Sequence, residues 1–380
     1  MNPPVFVLAP DSFKESISAQ QACAALEKGI KKVFPEAVCH HVPMADGGEG
    51  TMHALVEATG GKIFNARVTG PLGSKVDATY GILGDGITGV LEMASASGLQ
   101  LVKPEERNPL ITTTYGTGEI IKMLLGQGVK KLVIGIGGSA TNDGGAGIAQ
   151  ALGAKLTDKN GNEIKPGGGN LGLLEKIDPA EIKSLLDGIE VEVACDVTNP
   201  LTGPKGASAI YGPQKGATQE MVAQLDANLQ HYAAVIRKQL GKEIEFTEGS
   251  GAAGGTGAGL MAFLNAKLVK GIDLVIKYSG LEAKVKEADY VFTGEGSVDH
   301  QTAFGKTISG IAGVTKKYNK PLIAFAGKVG EIDNLYETGV SAVFGILPTV
   351  CNIDEALLKG DQNLEKEAEQ VCRLIRSRMF

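Results

Sequence analysis

Short apolar runs alternate along the chain with amphipathic stretches and glycine-punctuated polar loops. Residues 5–9 (VFVLA) form an apolar run that reads as a strand. Apolar positions at Ile17, Cys23, Leu26, Ile30 and Val33 then predict a helix over residues 16–34. A second strand is expected at 38–42 and a second helix at 51–58. Two strand–loop–helix units in succession predict half of a doubly wound sheet. The pattern changes near Gly61, where three short strands (62–69, 76–83, 88–92) are separated by Gly-Pro-Leu-Gly and Gly-Asp-Gly turns.

Further on, a helix is expected at 120–125, a buried strand at 132–136 and a short helix at 147–152. Residues 153–172 read as a hairpin and loop, 191–195 as a strand and 218–240 as an amphipathic helix. The glycine-dense run 249–259 leads into a helix over 260–264. Strand character returns at 290–293, with 294–299 as its loop, then at 322–326 and 340–346. Residues 305–307 open a helix between the first two, and one closing helix is expected over 354–379, with Arg373, Arg376 and Arg378 in its last turns. These last units repeat the pattern of the first sixty residues. The fold class expected is therefore α/β: a discontinuous Rossmann-like parallel-sheet domain (1–61 plus 288–380) with a second α/β domain (62–287) inserted.

Composition sharpens this picture. Glycine supplies 53 of 380 residues, roughly twice the usual share. It clusters at the ends of apolar runs, where open α/β sheets bind ligands. A net charge of −6, with no block of five or more like charges, argues against nucleic acid and anionic membranes as partners. No run of apolar residues is long enough to predict a membrane span, and no signal peptide is visible. Five scattered cysteines without a CxxC spacing read as reduced thiols, so a cytoplasmic location is expected. The five histidines show no metal-binding spacing.

The densest candidate chemistry lies at 132–147 (LVIGIGGSATNDGGAG), a strand that breaks into glycines around Ser139, Thr141, Asn142 and Asp143. Glycines let successive backbone N–H groups turn toward an anion, and a helix start adds its dipole. Asp143 adds a carboxylate for Mg²⁺. Comparable loops carry Asp11, Ser12 and Lys14, then Asp46 and Glu49, then Asp196 and Asn199, then Lys215, then Glu295 and Asp299, with Lys306 further on. Two loose dinucleotide fingerprints, beginning at Gly135 and Gly249, lack the strand–turn–helix setting they require. A phosphate-binding P-loop is missing at Gly305-Lys306-Thr307, where His300 stands in the first glycine's place. The protein-kinase motifs are absent too. Lysines and N–H nests for phosphates, carboxylates for Mg²⁺ and an acid to accept a hydroxyl proton together make the inventory of phosphoryl transfer. A non-catalytic small-anion binding protein would use the same nests without needing the acids.

Six stretches in order, 9–16 (APDSFKES), 43–51 (PMADGGEGT), 135–145 (GIGGSATNDGG), 194–201 (ACDVTNPL), 211–216 (YGPQKG) and 293–296 (TGEG), with Asp299-x-Gln301-Thr302 and Gly305-Lys306, resemble the bacterial glycerate kinase family, type 1. The resemblance covers the whole chain. It implies ATP- and Mg²⁺-dependent phosphorylation of D-glycerate and a cleft between two α/β domains. The 2-phosphate is the favoured product and the 3-phosphate the alternative. On this reading Asp196 is the expected base, oriented by Asn199. Lys14 meets the substrate carboxylate or the γ-phosphate, with Asp11 beside it in the catalytic set. Asp46 and Asp143 are the Mg²⁺ candidates. Gly137, Gly138, Ser139, Thr141, Asn142, Lys215, Glu295 and Asp299 are expected on the nucleotide, with Gly254 and Gly255 either along it or packing a helix. No oligomeric state follows from the sequence, and a homodimer stays open.

Overall fold

The computed structural model describes residues 3–303 and 307–377. Two compact units emerge, one from 1–46, 53–60 and 272–380, the other from 47–52 and 61–271. The expected division at 287/288 differs from this. The helices Gly271–Ser279 and Leu281–Glu287 bury Ile272, Leu274, Val275, Leu281 and Val285, and all but the first residue of the pair lies with the terminal unit.

The terminal unit carries a five-stranded sheet, all parallel, in the order Ala342–Gly345, Leu322–Val329, Tyr290–Val298, Val5–Leu8, Val38–His41. The chain leaves Val5–Leu8 toward one edge, then returns on the other side of the same strand and continues outward. The order thus reverses between Val5–Leu8 and Tyr290–Val298, where loops diverge and ligands bind in such sheets. Alternation along the strands places Phe6, Phe292 and Phe325 on one face, with ring centroids 5.3 and 5.2 Å apart. Helices Ala19–Lys31 and Gly360–Ser377 cover that face through Leu26, Ile30, Leu364, Ala368 and Val371. They approach so closely that a Cβ on Gly29 would strike the Glu365 carbonyl. Ser18 caps the first helix, accepting from Gln21 N at 3.2 Å while Gln21 Oε1 accepts from Ser18 N at 2.9 Å. The helix therefore begins at Ala19 rather than at 16.

Three other expectations shift here. The segment 294–298 is not a loop but the end of the strand Tyr290–Val298, paired with Leu322–Val329. Its glycines permit this, because a Cβ at Gly294 would collide with Phe325 O and crowd the Phe13 ring. The single closing helix is two, Ile353–Leu358 and Gly360–Ser377, parted at Lys359. Gly360 lies against Ser16 Oγ, with no room for a side chain. Residues Gly305, Lys306, Arg378 and Met379 lie outside the described residues.

The other unit holds a six-stranded mixed sheet in the order Lys267–Val269, Glu190–Ala194, Lys131–Gly135, Thr88–Glu92, Lys75–Ile82, Lys62–Thr69. Its first four strands are parallel and its last two run as an antiparallel meander. Lys155–Thr157 pairs with Lys176–Asp178, a wider hairpin than the sequence suggests. Helix Gln219–Leu240 is capped by Thr218 and buries Leu225, Leu229, Tyr232 and Ile236 at helical spacing. Helix Ala252–Leu264 contains three left-handed residues, Ala253, Gly254 and Gly255. No helix among the described residues is long and apolar enough to cross a membrane.

Candidate active site

In the terminal unit, the first strand's exit stays bound to its neighbour. Ala9 N donates to Phe292 O at 2.7 Å, Thr293 Oγ1 to Ala9 O at 2.8 Å and Asp11 N to Gly294 O at 2.8 Å. Met44 N donates to Pro10 O at 2.9 Å, which carries the 43–46 segment along the other flank. The two loops thus bring Asp11 and Asp46 to the carboxyl edge of the sheet. Both line a cavity of about 820 Å³, together with Ser12, Lys14, Glu295 and Lys328. Its remaining wall is apolar, formed by Val329, Ile346, Leu347, Ile353 and Leu357.

Asp11 accepts from Thr307 Oγ1 at 2.7 Å and from Ser12 N at 2.6 Å. Burial raises its carboxyl above the usual range. The Asp46 charge adds to the rise, while the bonds from Thr307 and Ser12 and the Lys14 charge oppose it. Lys14 is exposed beside Glu15, whose φ of 64° is a left-handed conformation that costs a non-glycine residue strain. Glu295 accepts from Thr302 Oγ1 at 3.0 Å, and the same hydroxyl accepts from Asp299 N at 3.2 Å.

The glycine loop of the other unit is built differently. Only Gly137 and Gly138 are exposed; Ser139, Thr141, Asn142 and Asp143 are buried. Asp143 accepts from Thr114 N at 2.8 Å, Thr114 Oγ1 at 2.9 Å, Gly145 N at 3.2 Å and Gly147 N at 3.3 Å. The anion at the start of helix Ala146–Ala151 is therefore the chain's own carboxylate. Burial raises its pKa, against the pull of those same donors. Asp143 does not fit the Mg²⁺ role expected of it, because its oxygens already receive four donors in a site without solvent. Lys215 is also buried, its ammonium donating to Ser139 Oγ at 2.8 Å and Thr141 O at 2.6 Å. It braces the loop from inside instead of presenting a charge to a phosphate. Asn142 Nδ2 donates to Ser208 Oγ at 2.9 Å.

Gly254 and Gly255 pack the loop. A Cβ at Gly254 would strike Thr141 O, and one at Gly255 would sit 2.7 Å from Leu201 Cδ1 and 3.0 Å from Gly144 Cα. Of the two roles expected for this run, helix packing is the one the geometry carries. Asp196 is exposed at the end of Glu190–Ala194 and accepts from Gly271 N at 3.0 Å. The expected orienting partner, Asn199, is committed elsewhere: its amide donates to Lys205 O at 2.8 Å and accepts from Tyr211 Oη at 2.7 Å.

Among the described residues, no three His, Cys, Asp or Glu side chains gather into a metal-holding group. Mg²⁺ does not require one, since it commonly uses one or two carboxylates and completes its shell with phosphates and water. Asp11 and Asp46, side by side on one cavity, suit that pattern. Sequence reasoning passed over Thr114, Thr307, Lys328 and the apolar wall. Lys328 had a signal, its place after Gly327 at a strand end; the apolar wall had none.

A parallel α/β sheet with carboxylates and lysines around its carboxyl-edge cavity is the layout of a small-molecule phosphotransferase. The profile of the glycerate kinase family matches residues 6–376, and the chain belongs to that family. It is 51% identical over 371 residues to a glycerate kinase of Bacillus subtilis, covering 97% of each chain. It is 50% identical over 367 residues to the glycerate 2-kinase of Escherichia coli, covering 96% of each. A solved structure from Salmonella typhimurium LT2, provisionally named a glycerate kinase 2, superposes over 100% of both chains with a TM-score of 0.92 and 48% identity.

Proposed function

We propose that this chain transfers the γ-phosphoryl group of ATP to D-glycerate and forms 2-phosphoglycerate. The observation that carries this reading is the carboxyl-edge cavity: Asp11, Asp46 and Glu295 line it together with Lys14 and Lys328 in a member of the glycerate kinase family. The similarity to a relative named glycerate 2-kinase supports the choice of product. In the reaction the acceptor hydroxyl oxygen bonds to the γ-phosphorus, the bond from that phosphorus to the β–γ bridging oxygen breaks, and ADP leaves. Charge develops on oxygens rather than on carbon, so positioning and electrostatics supply most of the rate.

Lys14 and Lys328 offer positive charge to phosphate oxygens. Asp11 and Asp46 are the residues we assign to Mg²⁺, which when bound neutralises phosphate charge. Asp196, fixed by the Gly271 N–H, is our candidate to take the glycerate hydroxyl proton. The five free cysteines support a reducing compartment, the cytoplasm. An assay with ATP, Mg²⁺ and D-glycerate, with the product identified by NMR, tests the reading. Formation of 3-phosphoglycerate would overturn the regiochemistry, and absence of turnover would overturn the activity.

A further inference from the structure

Beyond the reaction, the cavity of the terminal unit has a shape of its own. Its lining combines charged groups, Asp11, Asp46, Lys14 and Lys328, with apolar side chains, Val329, Leu347, Ile353 and Leu357. Val329, Leu347 and Ile353 stay 40, 42 and 69% exposed. Glycerate carries an oxygen on every carbon and has no apolar face to set against such side chains. A purine has two. We propose that this cavity is the nucleotide subsite, with the adenine base against Leu347, Ile353 and Leu357 and the phosphates toward Lys14 and Lys328. The proposal rests on the kinase reading and adds to it the place of the base.

Three observations converge on it. The cavity opens at the strand-order reversal between Val5–Leu8 and Tyr290–Val298, where nucleotides sit in doubly wound sheets. Ligand pockets of this volume are mostly apolar with a few placed polar groups, as here. The glycine loop of the other unit, the rival location, gives its helix-start N–H groups to Asp143 and fills its centre with Lys215, Gly254 and Gly255. A second hollow, of about 740 Å³, is lined by residues of and beside the helices around Asp273, Glu282 and Lys317, and Lys317 is paired there with Glu282.

The test uses the full chain and the non-hydrolysable analogue AMPPNP with Mg²⁺, measured by calorimetry. Ile353→Asn and Leu347→Asn change exposed side chains and introduce no charge, and unaltered melting curves check the fold. Each should weaken AMPPNP by about tenfold, the scale of a lost apolar contact in a pocket. Inorganic tripolyphosphate, which lacks the base, should bind both variants as it binds wild type, and the KM for glycerate should not move. Photolabelling with 8-azido-ATP should mark residues within 346–357. Unchanged AMPPNP affinity in both variants would overturn the placement while leaving the kinase reading standing. Wild-type protein that binds glycerate and no AMPPNP would overturn both.

Discussion

The Lys215 ammonium donates to Ser139 Oγ at 2.8 Å across 76 residues of sequence, with both groups sealed from solvent. A second bond, to Thr141 O at 2.6 Å, makes the lysine a brace inside the glycine loop. Burial pushes Lys215 down to about 7, against the attraction of the Asp143 charge.

That shift predicts a pH dependence. Between pH values of about 7 and about 10.4 the unfolded chain keeps the lysine proton while the folded chain has released it. The unfolded state then binds more protons, so stability rises with pH across this window, by at most ~1.4 kcal/mol per pH unit. Urea unfolding of wild type and Lys215→Met at pH 7, 8.5 and 10 measures it. The difference between the two stabilities should grow in favour of wild type as pH rises. Parallel curves would mean that the lysine keeps its proton in the fold.

Asp143 separates a structural carboxylate from a metal ligand. Asp143→Asn puts an N–H₂ against the backbone N–H donors of Thr114, Gly145 or Gly147, leaving buried donors unmatched, and should cost on the order of 3 kcal/mol. The fraction that stays folded should keep its Mg²⁺ requirement. Unaltered stability with a raised Mg²⁺ requirement would restore the metal role.

Asp11 and Asp46 should behave in the opposite way. Both lie at the cavity rather than in the core, so Asp11→Asn and Asp46→Asn should melt near wild type. Each should lower kcat/KM by ~10²-fold or more and raise the Mg²⁺ concentration for half-maximal rate. Steady-state kinetics across a Mg²⁺ titration decide this, and a pair of variants with ordinary Mg²⁺ curves would remove both from the metal.

Gly254 occupies φ 69° with Thr141 O where a Cβ would be. Gly254→Ala adds left-handed strain of roughly 1 kcal/mol to a backbone collision, so the loss of stability should exceed that figure. Denaturant midpoints measure it. A stable variant with weakened ATP binding would return this glycine to the nucleotide.

Asp196→Asn tests the proton acceptor. General-base catalysis is commonly worth ~10²–10⁴-fold, so kcat should fall by at least about a hundredfold with little change in KM for ATP. Retention of more than a tenth of the wild-type kcat would move the base elsewhere.

Much of the fold was legible because the apolar pattern is local. The strands Lys62–Thr69 and Thr88–Glu92 fall where alternation and turn residues put them. Three glycines show one physical limit. Glycine signals permission for an unusual backbone or a close approach, and its sequence does not say which partner arrives. At Gly294 the partner is a neighbouring strand, at Gly360 a serine, at Gly254 a carbonyl. The expectations there are a strand-exit loop, a helix interior and, for Gly254, either a nucleotide contact or helix packing.

The sequence by itself determined the α/β class, the family likeness and the set of acids and lysines, because these depend on local periodicity and on short motifs. Only the tertiary structure divided that set by environment. Asp143 and Lys215 sank into the core, where four donors hold the one and two acceptors hold the other. Asp11 and Asp46 came out beside a cavity. Burial and hydrogen-bond partners arise from contacts between distant segments, and those contacts decide whether a carboxylate supports the fold or stays available for chemistry.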